Sequence, residues 1–216
     1  MPQAVSLSPV CAGRRHLMRR GMAAAAVFAG LAGCDRAAPS GATVGGFRGL
    51  DITGAPYARD FSLTDFNGQP RHLGDYRGKV VMLYFGFVQC PDVCPTALTR
   101  AAGVMERLGP DARQLQLLFV TVDPERDTPA LLRDYMAAFH PSFVGLTGSA
   151  AQIRTAADEF RVFYRKVPTG SSYTMDHTAL SYLFDRQGHI RVALKHEQTV
   201  DDYTADVKTL LAEASA

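Results

Sequence analysis

Two cysteines, Cys90 and Cys94, stand in the segment Phe87-Val88-Gln89-Cys90-Pro91-Asp92-Val93-Cys94-Pro95. An apolar run of strand type precedes them and a helix-type pattern follows, so both thiols fall at a strand-to-helix corner. The positive end of a helix favours thiolate over thiol, and thiolate is the form that binds metal or attacks a disulfide. Their C-x-x-x-C spacing differs from the C-x-x-C of ordinary redox pairs. Residues four apart on a helix hold their Cβ atoms roughly 5–6 Å apart, whereas a disulfide needs about 3.5–4.5 Å. A metal with sulfur bonds of about 2.3 Å, as at zinc, accepts sulfurs about 4 Å apart. Geometry therefore tilts toward a soft ion, Cu(I) or Zn(II). Reversible oxidation stays open, because Cys90 lies in a loop that can adjust.

Two thiolates leave a monovalent ion with net negative charge, so a neutral third ligand suits it better than a carboxylate. Histidine fits, and the chain has six: His16, His72, His140, His177, His189 and His196. His16 lies in the N-terminal targeting segment, His72 and His189 flank turns, His140 precedes Pro141 at a helix end, and His196 sits between Lys195 and Glu197. His177 ends a polar loop, Ser171 to Thr178, directly before an apolar strand. Asp176 beside it is a candidate outer acceptor for the imidazole, and Met175 reads as core packing.

The elements that position these residues form an α/β pattern. Lys79 to Phe87 and Leu115 to Val122 are continuous apolar runs, as for central strands covered on both faces. Pro95 predicts the first position of a helix, with Cys94 at or near its N-cap, and Gly109-Pro110 ends that helix. Phe61 to Thr64 reads as a strand followed by an Asn67-Gly68 turn, and Phe143 to Leu146 as an edge strand. Thr128-Pro129 opens a helix, and Ser149 with Gln152 forms a capping box for another. Leu180 to Asp185 and Ile190 to Lys195 make a hairpin, and a terminal helix carries Val200, Tyr203, Val207 and Leu210. The order is strand, helix, strand, helix, helix, strand, strand, helix. This is a thioredoxin-like plan: a central mixed sheet flanked by helices, with the loop before His177 beside the thiol corner.

Length and charge narrow the function classes. The 216 residues suit one domain plus an appendage, and 47% hydrophobic residues supply a core. A net charge of +2, with no Walker loop, no G-x-G-x-x-G and no basic-aromatic tract, argues against nucleotide and nucleic-acid partners. Arg14, Arg15, Arg19 and Arg20 precede a short apolar stretch, Gly21 to Gly33. That stretch is below the roughly 18 apolar residues of a membrane span, so residues 1–33 read as a signal peptide. Arg14-Arg15 lacks the rest of a twin-arginine pattern. Leu31-Ala32-Gly33-Cys34 resembles a bacterial lipobox, which implies cleavage before Cys34 and lipid on its sulfur. An ordinary secretory signal with an incidental cysteine is the alternative. Residues 34–57, rich in Gly, Ala, Ser and Pro, read as a flexible tether, and 58–216 as the domain. Cys11 then leaves with the signal, so Cys90 and Cys94 are the thiols of the folded domain, in an oxidising compartment.

Three separated motifs, in order, resemble the Sco/SenC family of copper-binding proteins. They are Gly86-Phe87 with Cys90-Pro-Asp-Val-Cys94-Pro-Thr96, then Thr121-Val-Asp123-Pro124-Glu-Arg126-Asp127-Thr-Pro129, then Met175-Asp176-His177-Thr178. The usual serine after the histidine is Thr178 here, which keeps the hydroxyl. The resemblance covers about residues 58 to 212. It implies a membrane-tethered thioredoxin-like domain in the bacterial periplasm that binds one copper through Cys90, Cys94 and His177. It also implies delivery of copper to the CuA centre of the copper-bearing subunit of cytochrome c oxidase. Another periplasmic copper carrier is a possible partner in that route. Adding an imidazole to two thiolates admits Cu(II) as well as Cu(I). Asp123, Arg126 and Asp127 read either as outer-sphere or partner-docking residues near the copper or as a strand-end turn, and for Asp127 the turn reading, capping the next helix with Thr128, is preferred. A thiol-disulfide reductase that keeps the oxidase cysteines reduced through Cys90 and Cys94 is the competing function. A thiol peroxidase is a third and poorer one, since peroxide chemistry needs neither the spacing nor His177.

Overall fold

The computed structural model describes residues 46–213. The signal segment, the lipobox with Cys34, Cys11 and His16 lie outside the described residues. Among the described residues no helix is long and apolar enough to cross a membrane.

The two apolar runs are strands buried along their whole length, β4 (Val80–Gly86) and β5 (Leu115–Thr121). They pair in parallel, with Val80 opposite Leu115 and Gly86 opposite Thr121. Helix α1 (Val93–Leu108) makes the crossover between them. It buries Leu98, Ala101, Val104, Met105 and Leu108 and ends at Gly109, whose positive φ of 54° glycine tolerates without strain. Beyond β5, α2 (Pro129–Phe139) leads to β6 (Val144–Thr147), which pairs parallel to β5. The Thr128 hydroxyl caps α2 by accepting from the Leu131 N–H. Next comes α3 (Ala150–Glu159), opened by the Ser149–Gln152 capping box.

β9 (Ser181–Phe184) and β10 (Ile190–Leu194) form an antiparallel hairpin whose first strand adds antiparallel to β4. Helix α4 (Val200–Ala212) packs back against α1. With β1 (Leu50–Asp51), β2 (Leu63–Asp65) and β3 (Pro70–Arg71), the sheet has eight strands, ordered β1-β10-β9-β4-β5-β6-β2-β3. A central mixed sheet with flanking helices and a parallel crossover at its middle is the thioredoxin-like plan. The two faces of β4 follow from its period of two. Phe85 points into an aromatic cluster around Phe160, which also meets Phe61, Tyr182 and Phe184 at centroid separations of 5.5–6.4 Å. Tyr84 and Gly86 point the other way, toward α1 and the cysteines.

Four expectations change. β6 is interior, because β2 pairs antiparallel to its free side. Helix α1 starts at Val93, so Asp92 is the N-cap and Cys94 the second helical residue. Pro95 is tolerated at the third position, where an N–H has no intrahelical acceptor anyway. The loop before His177 is a strand, β8 (Ser172–His177), paired with β7 (Tyr164–Thr169) in a separate two-stranded sheet. Finally, the tether does not run free to residue 57. Phe47 is buried, the Arg48 and Gly49 N–H groups donate to the Asp206 carboxylate, and β1 pairs with β10.

Candidate metal centre

The strand β4 delivers the chain to a corner at Phe87–Asp92, and α1 begins there. Cys90 is nearly buried and Cys94 wholly so. The Cys94 N–H, one of the donors that a helix start leaves without an intrahelical partner, donates to Cys90 Sγ at 3.4 Å. From the other side comes the β7–β8 hairpin. It ends at His177, whose Nε2 stands 3.4 Å from Cys94 Sγ. The ligand atoms of Cys90, Cys94 and His177 all lie within 4.8 Å of one another. His177 Nδ1 faces the Thr178 carbonyl at 3.1 Å. An Nδ1–H donated there leaves the Nε2 lone pair turned to the sulfurs.

The floor of the site is apolar and tight. The His177 ring meets Tyr84 and Phe87 edge-on, at 6.0 Å and 84° and at 5.8 Å and 89°. Gly86 has no room for a side chain: a Cβ there would lie 2.8 Å from Phe119, 2.9 Å from Cys94 Sγ and 3.0 Å from Tyr84. A cleft of about 330 Å³ opens over Cys90 and His177, bordered by Pro91, Met175 and Ala179. The site thus has an apolar floor and one open side, where Asp92, Thr174 and Asp176 also border the cleft.

Electrostatics separate the two thiols. The Cys94 sulfur hydrogen-bonded to Cys90 holds the Cys90 thiol well below its ordinary range, at about 4, with His177 and the Asp92 and Cys94 N–H groups acting in the same direction. Burial pushes the Cys94 thiol up. Without metal the pair is one thiolate and one thiol. A cation that replaces the shared proton completes two thiolates and an imidazole. Metal–sulfur bonds of about 2.3 Å and metal–nitrogen bonds of about 2.0 Å place such donors about 3.5–4 Å apart. The donors here stand within 4.8 Å of one another, so this soft S₂N set fits a copper ion with adjustments of an ångström or less.

The other candidates fall elsewhere. The Asp176 side chain points away from the imidazole and pairs with Arg165 at 3.2 Å; the Thr178 carbonyl takes the place expected for it. Met175 is buried, as core packing requires. Asp123 is buried and touches none of the three donors in any hydrogen bond. Its carboxylate pairs with Arg126 and accepts from the Tyr173 hydroxyl at 2.9 Å. Asp127 does not cap α2. Its Oδ2 accepts from the Thr121 hydroxyl at 2.6 Å and from the Val88 N–H at 3.1 Å, tying the end of β5 to the start of the thiol loop. His72 binds at the Asp60 and Asp75 turn, and His140 pairs with Ser142. His189 lies by Asp185.

Three contributors had no expectation attached: Gln89, Tyr173 and the lack of a side chain at Gly86. For Gly86 the signal was a glycine ending an otherwise bulky buried run, which marks close approach. For the hairpin it was Gly170-Ser171 between two strand-like stretches.

Comparison with known proteins returns a consistent set. The SCO1/SenC family model matches residues 51–212. A SCO2-like protein of Rickettsia felis is 40% identical over 140 residues, covering 63% of this chain and 67% of its own. The chain spans about two thirds of the length of the Rickettsia relatives it matches. Bradyrhizobium japonicum ScoI, solved with copper bound, is 41% identical with a TM-score of 0.66, over 71% of this chain and 99% of that one. Yeast Sco1 with copper bound is 33% identical with a TM-score of 0.67, over 74% and 91%.

Proposed function

The chain belongs to the SCO1/SenC family, and we propose that it is a copper carrier: it binds one copper through Cys90, Cys94 and His177 and assists assembly of the CuA centre of cytochrome c oxidase. The observation that carries this reading is the convergence of two sulfurs and one imidazole nitrogen, from segments 83 residues apart, within 4.8 Å. Two relatives at 33% and 41% identity are known with copper bound, which supports the choice of ion. Two thiolates suffice for Cu(I), and the imidazole extends the site to Cu(II). The open side over Cys90 and His177 gives an acceptor's ligands a path to exchange in.

The sequence supports the remaining parts of this reading. Residues 1–33 direct export, Cys34 carries lipid, and the residues after it hold the domain near the periplasmic membrane surface. The copper-bearing oxidase subunit is the acceptor, and another periplasmic copper carrier is the donor.

A thiol-disulfide reductase is the second reading, favoured by one observation. The low-lying Cys90 thiol beside the protonated Cys94 is the asymmetry that thiol exchange uses. Replacing His177 with Ala separates the two. Anaerobic titration of metal-free protein with Cu(I) and Cu(II) is expected to give one equivalent of either ion for the parent. The carrier reading requires Cu(II) affinity to fall at least about 100-fold in the variant. Unchanged affinity for both ions, with a dithiol cycle that still turns over, would transfer the site to the reductase.

A further inference from the structure

The three donors sit on two bodies. Cys90 and Cys94 belong to the corner between β4 and α1, inside the main sheet. His177 belongs to the β7–β8 hairpin, a separate sheet with no ladder bond to the main one. A lone two-stranded hairpin is marginally stable in water. Its register against the thiol corner therefore depends on what fastens it.

Part of the fastening is packing: Met175 is buried in the core, and Arg154 of α3 lies 3.9 Å over the Tyr164 ring. The polar tie to the thiol loop comes from one turn, the residues between β5 and α2. Arg126 is its centre. Its Nε pairs with the buried Asp123 carboxylate. Its Nη1 donates to the Tyr173 carbonyl at 2.8 Å and to Gln89 Oε1 at 3.1 Å. The guanidinium carbon lies 3.7 Å from the centroid of the Tyr173 ring, and the Tyr173 hydroxyl returns to Asp123. Gln89 directly precedes Cys90, and Tyr173 lies on the strand that ends in His177. One planar cation thus touches the thiol loop and the imidazole hairpin at once, over a buried counter-charge. Glu125, from the same turn, adds an exposed ion pair to Lys166 at 2.5 Å.

We propose that Arg126, seated on Asp123, is a positioning residue: it holds the hairpin against the thiol loop and so sets whether His177 reaches the copper. The inference rests on the carrier reading for its consequence, though not for the tie itself. Arg126 touches none of the three donors; it acts through Gln89 and Tyr173. A lysine retains the charge for Asp123 but lacks the fork that reaches both loop and hairpin. Without the tie, the two sulfurs remain a site for Cu(I), and Cu(II) loses its nitrogen.

The test is Arg126→Lys in the full chain, read first without metal. Amide exchange within residues 164–177 is expected to quicken about 10-fold, while β4 and β5 keep the parent's protection. With copper, Cu(I) affinity should stay within about 3-fold. Cu(II) affinity should fall about 10- to 100-fold, with weakened nitrogen coupling in the Cu(II) electron paramagnetic resonance spectrum. Parent-like hairpin exchange together with parent-like nitrogen coupling would overturn the proposal. Should Arg126→Lys not fold, Tyr173→Ala, which removes the ring under the guanidinium and the hydroxyl bond to Asp123, is expected to move the same readouts in the same direction, and its silence would count against the tie. Absence of copper uptake by the parent would instead sink the carrier reading, and the metal-free exchange would still decide the tie.

Discussion

Asp127 gives the sharpest quantitative test of how the site is braced. Its carboxylate is buried, and only Oδ2 has hydrogen-bond partners, the Thr121 hydroxyl and the Val88 N–H; Oδ1 is buried without one. Burial pushes its pKa from the ordinary 3.8 up to about 6, against the pull of both hydrogen bonds. The unfolded chain releases this proton near 3.8, whereas the folded protein keeps it to about 6. Between those values the folded state holds more protons than the unfolded one, so stability falls as pH rises through the window and is flat above it. At 1.36 kcal/mol per pH unit, the full window corresponds to about 3 kcal/mol. Asp127→Asn keeps an acceptor for both donors and carries no charge at any pH. It should be as stable as the parent near pH 4 and more stable at pH 7, by up to about 3 kcal/mol. Asp127→Ala, which strands the Val88 N–H and the Thr121 hydroxyl, should lose about 1–3 kcal/mol at pH 4. Urea unfolding of all three proteins from pH 4 to pH 8 measures this. The difference between parent and Asn variant is the quantity to follow, because Asp65 and Asp202, whose hydrogen bonds draw their pKa values down, contribute the opposite slope in both proteins. A parent–Asn difference that does not change with pH would refute the assignment of a buried, charged Asp127.

Gly86→Ala should overpack the floor of the site, since the new methyl meets Phe119, Cys94 Sγ and Tyr84 at 3.0 Å or less. A cost of about 1–3 kcal/mol is expected, read as a fall of about 3–10 °C in thermal midpoint, together with weaker copper binding; a midpoint within 1 °C of the parent would contradict the close approach. In metal-free protein, Cys90 should react with an alkylating reagent at pH 5–6 while Cys94 does not, because the Cys94 sulfur stabilises the Cys90 thiolate and burial keeps Cys94 protonated. Peptide mapping of the label checks this, and modification of Cys94 first would reverse the assignment.

Much of this arrangement was legible in the chain because it is written locally. The runs at 80–86 and 115–121 are too apolar for anything but central strands, and a capping box such as Ser149 with Gln152 needs only four residues to recognise. What escaped depends on distant partners. The strand β7 escaped because its side chains are mostly exposed, so no apolar alternation marks it, and Pro168 argues locally against a strand. Residues 47–57 have the texture of a linker; what docks them is one aromatic, Phe47, and a carboxylate on α4 about 160 positions away. The interior place of β6 is decided by its pairing with β2, from the other end of the domain. Asp127 read as a turn residue and Arg126 as either a turn or an outer-sphere residue; that they reach Val88 and Gln89 is a property of the fold alone.

The same division bears on the proposed carrier role. Helix start and buried strand fix the two sulfurs, and Gly86 lets Cys94 settle against β4 with no slack. Moving either sulfur would disturb the core. The imidazole stands on a mostly exposed hairpin outside the main sheet, anchored by buried Met175 and by the Arg154–Tyr164 contact and tied to the thiol loop by polar bonds from the turn at Asp123–Arg126. A ligand set of equal rigidity throughout would bind tightly and release slowly. Here two donors are anchored at the start of α1 beside the main sheet, and the third sits on a separate two-stranded sheet, next to the open side of the cleft. Displacing the third ligand thus disturbs the small sheet and its ties to Arg126 and Met175 rather than the paired strands β4 and β5, so the sulfurs and the imidazole answer to different residues.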